Sequence, residues 1–205
     1  MSRTILVATT NPGKSAELSE MLDGDVVFKS LADFPGIPEV IEDGDTFEEN
    51  ACKKALGYAK ATNLWTIADD SGLVIDALDG APGVHSARFA GEKSEDRTFI
   101  DHKNIGKVLE LLKDIPADKR TARFVCSLCL ASPDQVLIRT QGKFEGLITE
   151  QKIGTNGFGY DPIFFVPHLE KTVAQLSNEE KNAVSHRGNA IRKLKPLLDE
   201  LLNTA

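Results

Sequence analysis

This chain has little that would staple it, anchor it or draw it to a polyanion. Three cysteines in 205 residues are too few, and an odd number, for the disulfide framework of a small secreted domain. No apolar run approaches the ~20 residues that cross a bilayer. The opening MSRTILVATT offers one Arg and a short apolar segment that reads as a first strand, not as a signal peptide followed by a cleavage site. The expected location is therefore the cytoplasm, with no membrane partner. A basic excess is missing too: the net charge is −7, which argues against nucleic acid, where a basic stripe is expected. A small anionic ligand stays open, because a few lysines and a metal can neutralise a phosphate chain locally. There is no internal repeat, low-complexity tract or linker, so a single domain over residues 1–205 is expected.

Cys126 and Cys129 form C-x-x-C within RFVCSLCLAS, which reads as a strand. Three positions apart, their side chains point to opposite faces. Without a second Cys or His pair at ligand spacing, neither zinc nor dithiol redox chemistry is expected of them.

What is present is an alternation of short β-branched runs and amphipathic helices. Residues 4–8 form a strand, residues 9–14 a loop and residues 15–22 a helix. That order presents backbone N–H groups to an anion. Thr46, with Glu49 three residues on, predicts a helix over about 47–62, on which Asn50 and Lys54 share a face. Residues 97–112 predict a second amphipathic helix. Residues 121–132 and 135–149 predict a hairpin turning at Pro133 and Asp134. Ser177 with Glu180 opens a short helix through Lys181, and a final helix follows Ser185, His186, Arg187 and Gly188. The pattern is that of an α/β protein with a mixed sheet.

The chemistry concentrates in LWTIADDSGLVIDAL, residues 64–78. An apolar run reads as a strand that stops at Asp69, Asp70, Ser71 and Gly72, and a second strand is expected over 73–78. Carboxylates at a strand end are hard oxygen donors on a rigid element, suited to Mg²⁺ and to taking a proton from water. The stretch GTNGFGYDPIFFVP, residues 154–167, predicts a loop whose glycine backbone approaches a ligand while a ring stacks on it.

ATTNPGKS, residues 8–15, also fits a relaxed P-loop with Ala in place of the first Gly, which would imply an ATPase or kinase. Pro12 removes one donor and fixes φ where such a loop needs successive N–H groups. A non-catalytic nucleotide-binding protein is the third reading, and two carboxylates beside the apolar strand count against it.

Together these motifs resemble the inosine/xanthosine triphosphate pyrophosphatase family. ATTNPGK, EDGDTFEENA with Lys54, IADDSGL, GAPGVHSARF, GFGYDPIFF and EEKNAVSHRG occur in family order over nearly the whole chain. The resemblance implies an elongated α/β fold with two lobes around a central cleft, acting as a homodimer. It implies that Thr9, Thr10, Asn11, Pro12, Gly13 and Lys14 hold the phosphates, with Lys54 near them and Ser71 touching substrate. Asp70 matches the proton acceptor and magnesium ligand. Phe158, Gly159, Tyr160 and Asp161 match the nucleoside loop, with Phe158 stacking on the purine, and Lys181, His186 and Arg187 match residues around the base. Where many members carry two consecutive glutamates, this chain has Ile41 followed by Glu42, so Glu42 takes the place of the second metal ligand.

The expected reaction is Mg²⁺-dependent cleavage between the α- and β-phosphates of ITP, dITP or XTP, giving a monophosphate and pyrophosphate. Asp70 is assigned to the chemistry. If the backbone is extended there, Asp69 points to the other face, as an auxiliary ligand or as a carboxylate behind the site.

Overall fold

The computed structural model describes residues 3–22 and 26–204. Among these residues, seven strands hydrogen-bond in the order β2-β1-β3-β4-β5-β6-β7: β1 Arg3–Val7, β2 Val26–Ser30, β3 Trp65–Ile75, β4 Thr121–Ala131, β5 Val136–Ile148, β6 Phe164–Val166 and β7 Lys171–Thr172. β1 is parallel to β2 and β3, whereas β6 is antiparallel to β5 and β7. The sheet is mixed and flanked by helices, as the alternation predicts. The helices are α1 Pro12–Met21, α2 Phe47–Thr62, α3 Arg97–Leu111, α4 Asn178–Val184 and α5 His186–Thr204. Among the described residues no helix is long and apolar enough to cross a membrane.

The chain divides into two compact units. The first is Met1–Asp70, Cys126–Gly142 and His186–Ala205, and the second is Ser71–Val125 and Lys143–Ser185. In the first, one face of the strands packs Ile5, Val7, Ile67, Cys126, Leu128 and Leu130 against Leu18, Leu22 and the α5 residues Ala190, Ile191, Leu194 and Leu198. The opposite face packs Leu6, Ala8, Ala68, Cys129 and Ala131 against Ala51, Ala55 and Tyr58 of α2. Covering both faces makes β3 and β4 read as continuous apolar runs instead of alternating ones. It also puts Cys126 and Cys129 on opposite faces, as their spacing predicts.

The second unit has its own core: Leu73, Ile75, Phe124, Phe144 and Phe164 pack against Ile105, Val108 and Leu112. Phe164 stacks at a tilt on Phe124, ring centroids 4.5 Å apart, a geometry that aromatic quadrupoles favour.

The helix signals hold where a side chain caps them. Thr46 accepts the Glu49 N–H at 3.1 Å, although the Glu49 carboxylate reaches back to Asp45 N and not to Thr46. Asp96 opens α3 by accepting the Thr98 and Phe99 N–H groups. Ser177 and Glu180 form the reciprocal capping box of α4. The hairpin turns where Ser132 N–H donates to Gln135 O at 2.9 Å.

Besides the start of α5, which takes in His186, Arg187 and Gly188 instead of following them, two local readings are corrected. Helix α1 begins at Pro12, not Ser15. Pro at the first helical position loses only an N–H that would have no intrahelical partner, and Asn11 caps the turn by accepting the Lys14 N–H at 3.3 Å. The second correction is larger. β3 does not stop at the carboxylates: it runs unbroken from Trp65 to Ile75, and a 3₁₀ turn, Asp76–Leu78, replaces the expected end of a second strand. Asp69 and Asp70 lie mid-strand, so their side chains leave on opposite faces.

Candidate active site

The candidate residues fall into two sets, one in each unit. In the first unit, Val7 pairs with Ile67 across the parallel β1–β3 ladder, and Ala8 N–H continues it to Ile67 O at 2.8 Å. That register brings the turn of residues 8–11 out beside the middle of β3, where Asp69 and Asp70 lie. Asn11 N–H closes the turn on Thr9 Oγ1 at 3.2 Å. Thr9 and Asn11 are half-buried and Thr10 is exposed. Pro12 and Gly13 form the first residues of α1.

Lys14, in the first turn of α1, reaches Asp69 at 2.9 Å, and Arg187, from the first turn of α5, reaches the same Asp69 oxygen at 3.5 Å. Asp69 is 1% exposed. Burial alone would raise its carboxyl, but Lys14, Arg187 and Lys54 outweigh that and hold it well below the usual carboxylate range. Asp69 is therefore a permanent anion joining three elements. Gly142 matters for the same junction: a side chain there would strike His186 O and Ala190 N, so only glycine lets β5 pass this close to the start of α5.

Asp70, on the other face of β3, has different surroundings. Its carboxylate accepts the Asn50 Nδ2–H at 3.1 Å. Asn50, 2% exposed on α2, also accepts the Gly44 N–H at 2.8 Å, tying Asp70 to the loop that carries Glu42. Glu42 pairs with Lys54 at 2.9 Å. Burial pushes the Asp70 carboxyl up, Lys54 and Asn50 pull it down, Glu42 pushes it further up, and the balance is raised. Of the adjacent aspartates, one has its carboxyl held well down and the other has it raised. Ile41, beside Glu42, is 77% exposed.

The second unit holds Ser71, which follows Asp70 in β3, and the aromatic loop. Asp161 organises that loop. Its Oδ2 accepts the Phe158 N–H at 2.9 Å and the Lys181 ammonium at 2.7 Å. Gly157, at φ +77°, sits so close that an added Cβ would overlap the Asp161 carboxylate. Phe158 is 42% exposed, and Lys181 Nζ lies 4.4 Å from its ring centroid, within cation–π range. Gly159 N–H donates to Asp101 Oδ2 at 2.9 Å, and Tyr160 Oη–H donates to Ser86 O at 2.8 Å.

Sequence reasoning placed Asn50 beside Lys54 without giving it a role, and it missed two further supports. Asp101 and Asn104 of α3 lie on the buried stripe with Ile105 and Val108. Asn104 accepts the Ala90 N–H at 2.7 Å and donates to Ser86 O and Ala87 O. Polar residues inside an apolar stripe were the available signal. His186 is half-buried in the first unit, so of the residues the resemblance groups around the base, His186 and Arg187 are housed in one unit and Lys181 in the other.

Comparison with known proteins matches this chain to the Ham1 family over residues 5–197. It is 52% identical to a dITP/XTP pyrophosphatase of Bacillus cereus over 201 residues, 97% of this chain and 96% of that protein. Among solved structures, a HAM1 protein from Coxiella burnetii superposes with a TM-score of 0.88 at 42% identity, covering 97% of this chain and 99% of the other. The Staphylococcus aureus Ham1 protein gives 0.86 at 43% identity, with the same coverage.

Proposed function

We infer a mechanism from the premise that this chain belongs to the Ham1 family and, like its dITP/XTP pyrophosphatase relatives, hydrolyses deaminated purine nucleoside triphosphates. The reading treats the two units as lobes of one catalytic domain. It assigns the triphosphate to the first unit and the base to the second.

Asp70 takes the proton of the attacking water. The single observation that carries this role is the contrast between neighbours: only Asp70 combines a raised carboxyl with a hydrogen bond that fixes its direction. Thr9, Thr10, Asn11 and the opening of α1 offer donors to the phosphates. An ammonium has three N–H donors, and Lys14 and Lys54 each spend one on a carboxylate. The rest neutralise charge on the departing pyrophosphate. Arg187, through Asp69, sets where Lys14 points.

Asp70 and Glu42 fit Mg²⁺. Among the described residues no group of three or more His, Cys, Asp or Glu forms a protein cage, and Mg²⁺ is commonly held by one or two carboxylates plus substrate phosphates and water. The mutual repulsion of Asp70 and Glu42 is what a cation would relieve. When bound, Mg²⁺ supplies charge neutralisation on the phosphate chain.

In the second unit, Phe158 stacks on the purine, and Lys181 donates to the 6-oxo group of hypoxanthine or xanthine. Adenine presents an amino donor there, which an ammonium cannot satisfy. His186 and Ser71 contact substrate in this reading. The homodimer, the cytoplasmic location and the lack of nucleic-acid binding belong to the same reading and rest on the resemblance and the net charge of −7.

Product analysis after incubation with Mg²⁺ and ITP, XTP, dITP, GTP or ATP tests it. The expected products are monophosphate and pyrophosphate from ITP, dITP and XTP. Orthophosphate from ATP without monophosphate would instead support the P-loop alternative, and binding without turnover would support the non-catalytic one.

A further inference from the structure

The sequence-adjacent cysteines do not meet, but a distant pair does. Cys52 is partly exposed on α2, and Cys129 is buried on β4. Cys52 packs against the core cluster between α2 and the sheet that contains Cys129, and the two thiols shift each other's acidity in opposite directions. The Cys52 Sγ also accepts the Arg139 Nε–H from β5 at 3.4 Å. The charged groups around this sulfur are Arg139 and Glu48, whose carboxylate lies 3.8 Å from the same guanidinium. All of these residues belong to the first unit. None carries a role in the hydrolysis.

We propose that Cys52 is a modification site for small hydroperoxides, and that Cys129 resolves the oxidised sulfur into a disulfide joining α2 to β4. Cys129, with Arg139, draws the Cys52 thiol down to about 6 against the opposing effects of burial and Glu48. Cys52 thus carries more thiolate at neutral pH than an ordinary thiol, and thiolate is the form that attacks peroxides. Cys126 is the contrast: burial, with Asp69 nearby, pushes it up to about 12.

In the first step the Cys52 thiolate attacks one peroxide oxygen, the O–O bond breaks, and the other oxygen leaves as alkoxide or hydroxide and takes up a proton. Cys52 becomes a sulfenic acid. In the second step the Cys129 sulfur attacks the Cys52 sulfur, the S–O bond breaks, and the departing hydroxide takes the Cys129 proton as water. The two sulfurs lose two electrons in total and the peroxide gains them. Cys129 is held up chiefly by its proximity to Cys52, then by burial and the Cys52 charge. Oxidation of Cys52 removes that charge and makes Cys129 a better nucleophile at the moment it is needed.

The test is hydrogen peroxide treatment of the whole protein, followed by alkylation of remaining thiols, intact mass measurement and peptide mapping. The expected product is lighter by two hydrogens, with a Cys52–Cys129 bond and a free Cys126, and it reverts with dithiothreitol. Cys129→Ser stops at a sulfenic acid on Cys52 that dimedone traps. Cys52→Ser slows thiol loss by about tenfold or more. In the untreated protein, Cys52 alkylation should be half-maximal near pH 6, and Arg139→Gln should move that midpoint upward. A disulfide mapped to Cys126, a wild-type Cys52 that oxidises while Cys129 stays free, or an alkylation midpoint near ~8.5, the value of an ordinary thiol, would overturn the proposal.

Discussion

The two units use buried carboxylates differently. In the first, Asp69 holds side chains: one oxygen gathers Lys14 and Arg187, so its charge is matched by charge. In the second, Asp161 and Asp101 each pair with a cation, Lys181 and Arg97, but also hold backbone: they accept the N–H groups of Phe158 and Gly159, so their charge also fixes the path of a loop. Each unit repeats one device, a buried helix asparagine that clamps a loop, Asn50 to Gly44 and Asn104 to residues 86–90. On the proposed reading, the lesson is that a phosphate-handling set needs its cations aimed, whereas a ring-presenting loop needs its shape held. Substitutions should therefore harm stability most in the first unit and substrate affinity most in the second.

Asp69→Asn should give the largest stability effect. Removing the carboxylate leaves Arg187, 2% exposed, without its buried counter-charge, a change that typically costs about 3–5 kcal/mol; urea denaturation measures it. The pH sign follows from the depressed carboxyl. Asp69 contributes stability that is fully present above the unfolded value of ~3.9 and is lost as pH falls toward the folded one. The variant should lack that acid-dependent loss. If Asp69→Asn is as stable as the wild type, the pairing of charge with charge is not what holds the first unit.

Phe158→Ala should cost little stability, since the ring is already well exposed, but should raise KM for dITP. Base stacking on an aromatic ring is worth about 1–3 kcal/mol, so the rise should be about tenfold, with kcat much less affected. Asp101→Ala sharpens the comparison at smaller amplitude. It removes the acceptor of the Gly159 N–H, worth about 1–2 kcal/mol, and should raise KM severalfold while Asp101→Asn recovers part of the loss. A fall in kcat alone would place Asp101 outside the support of the loop.

Much of the architecture was legible because short-range chemistry dictates it. Helices α2 and α4 are announced by Thr46 and Ser177, and the hairpin by Pro133 and Asp134. The illegible parts depend on partners far away in the chain. A buried carboxylate in the middle of a strand contradicts sequence pattern unless Lys14 and Arg187, at opposite ends of the chain, are known to meet it. That is why β3 read as two pieces. Pro12 was legible as a residue without a donor, but not as the first residue of a helix, where the missing donor costs nothing. In the site, Asp70, Lys14, Phe158 and Lys181 were readable as chemistry-bearing types. What readied each of them, through Asn50, Asp69, Asp161 and Asp101, depended on tertiary contact.

The most direct test of the division between the two aspartates is Asp70→Asn, assayed for dITP turnover and for stability at neutral and acid pH. Loss of a general base predicts a fall in kcat of about 10²–10⁴-fold. Because the Asp70 carboxyl is raised, its ionised form costs the wild type stability as pH rises above ~3.9. The variant should therefore be more stable than the wild type at pH 7, and the difference should vanish below about pH 4. Retained turnover, or an inactive protein less stable than the wild type at pH 7, would contradict the account.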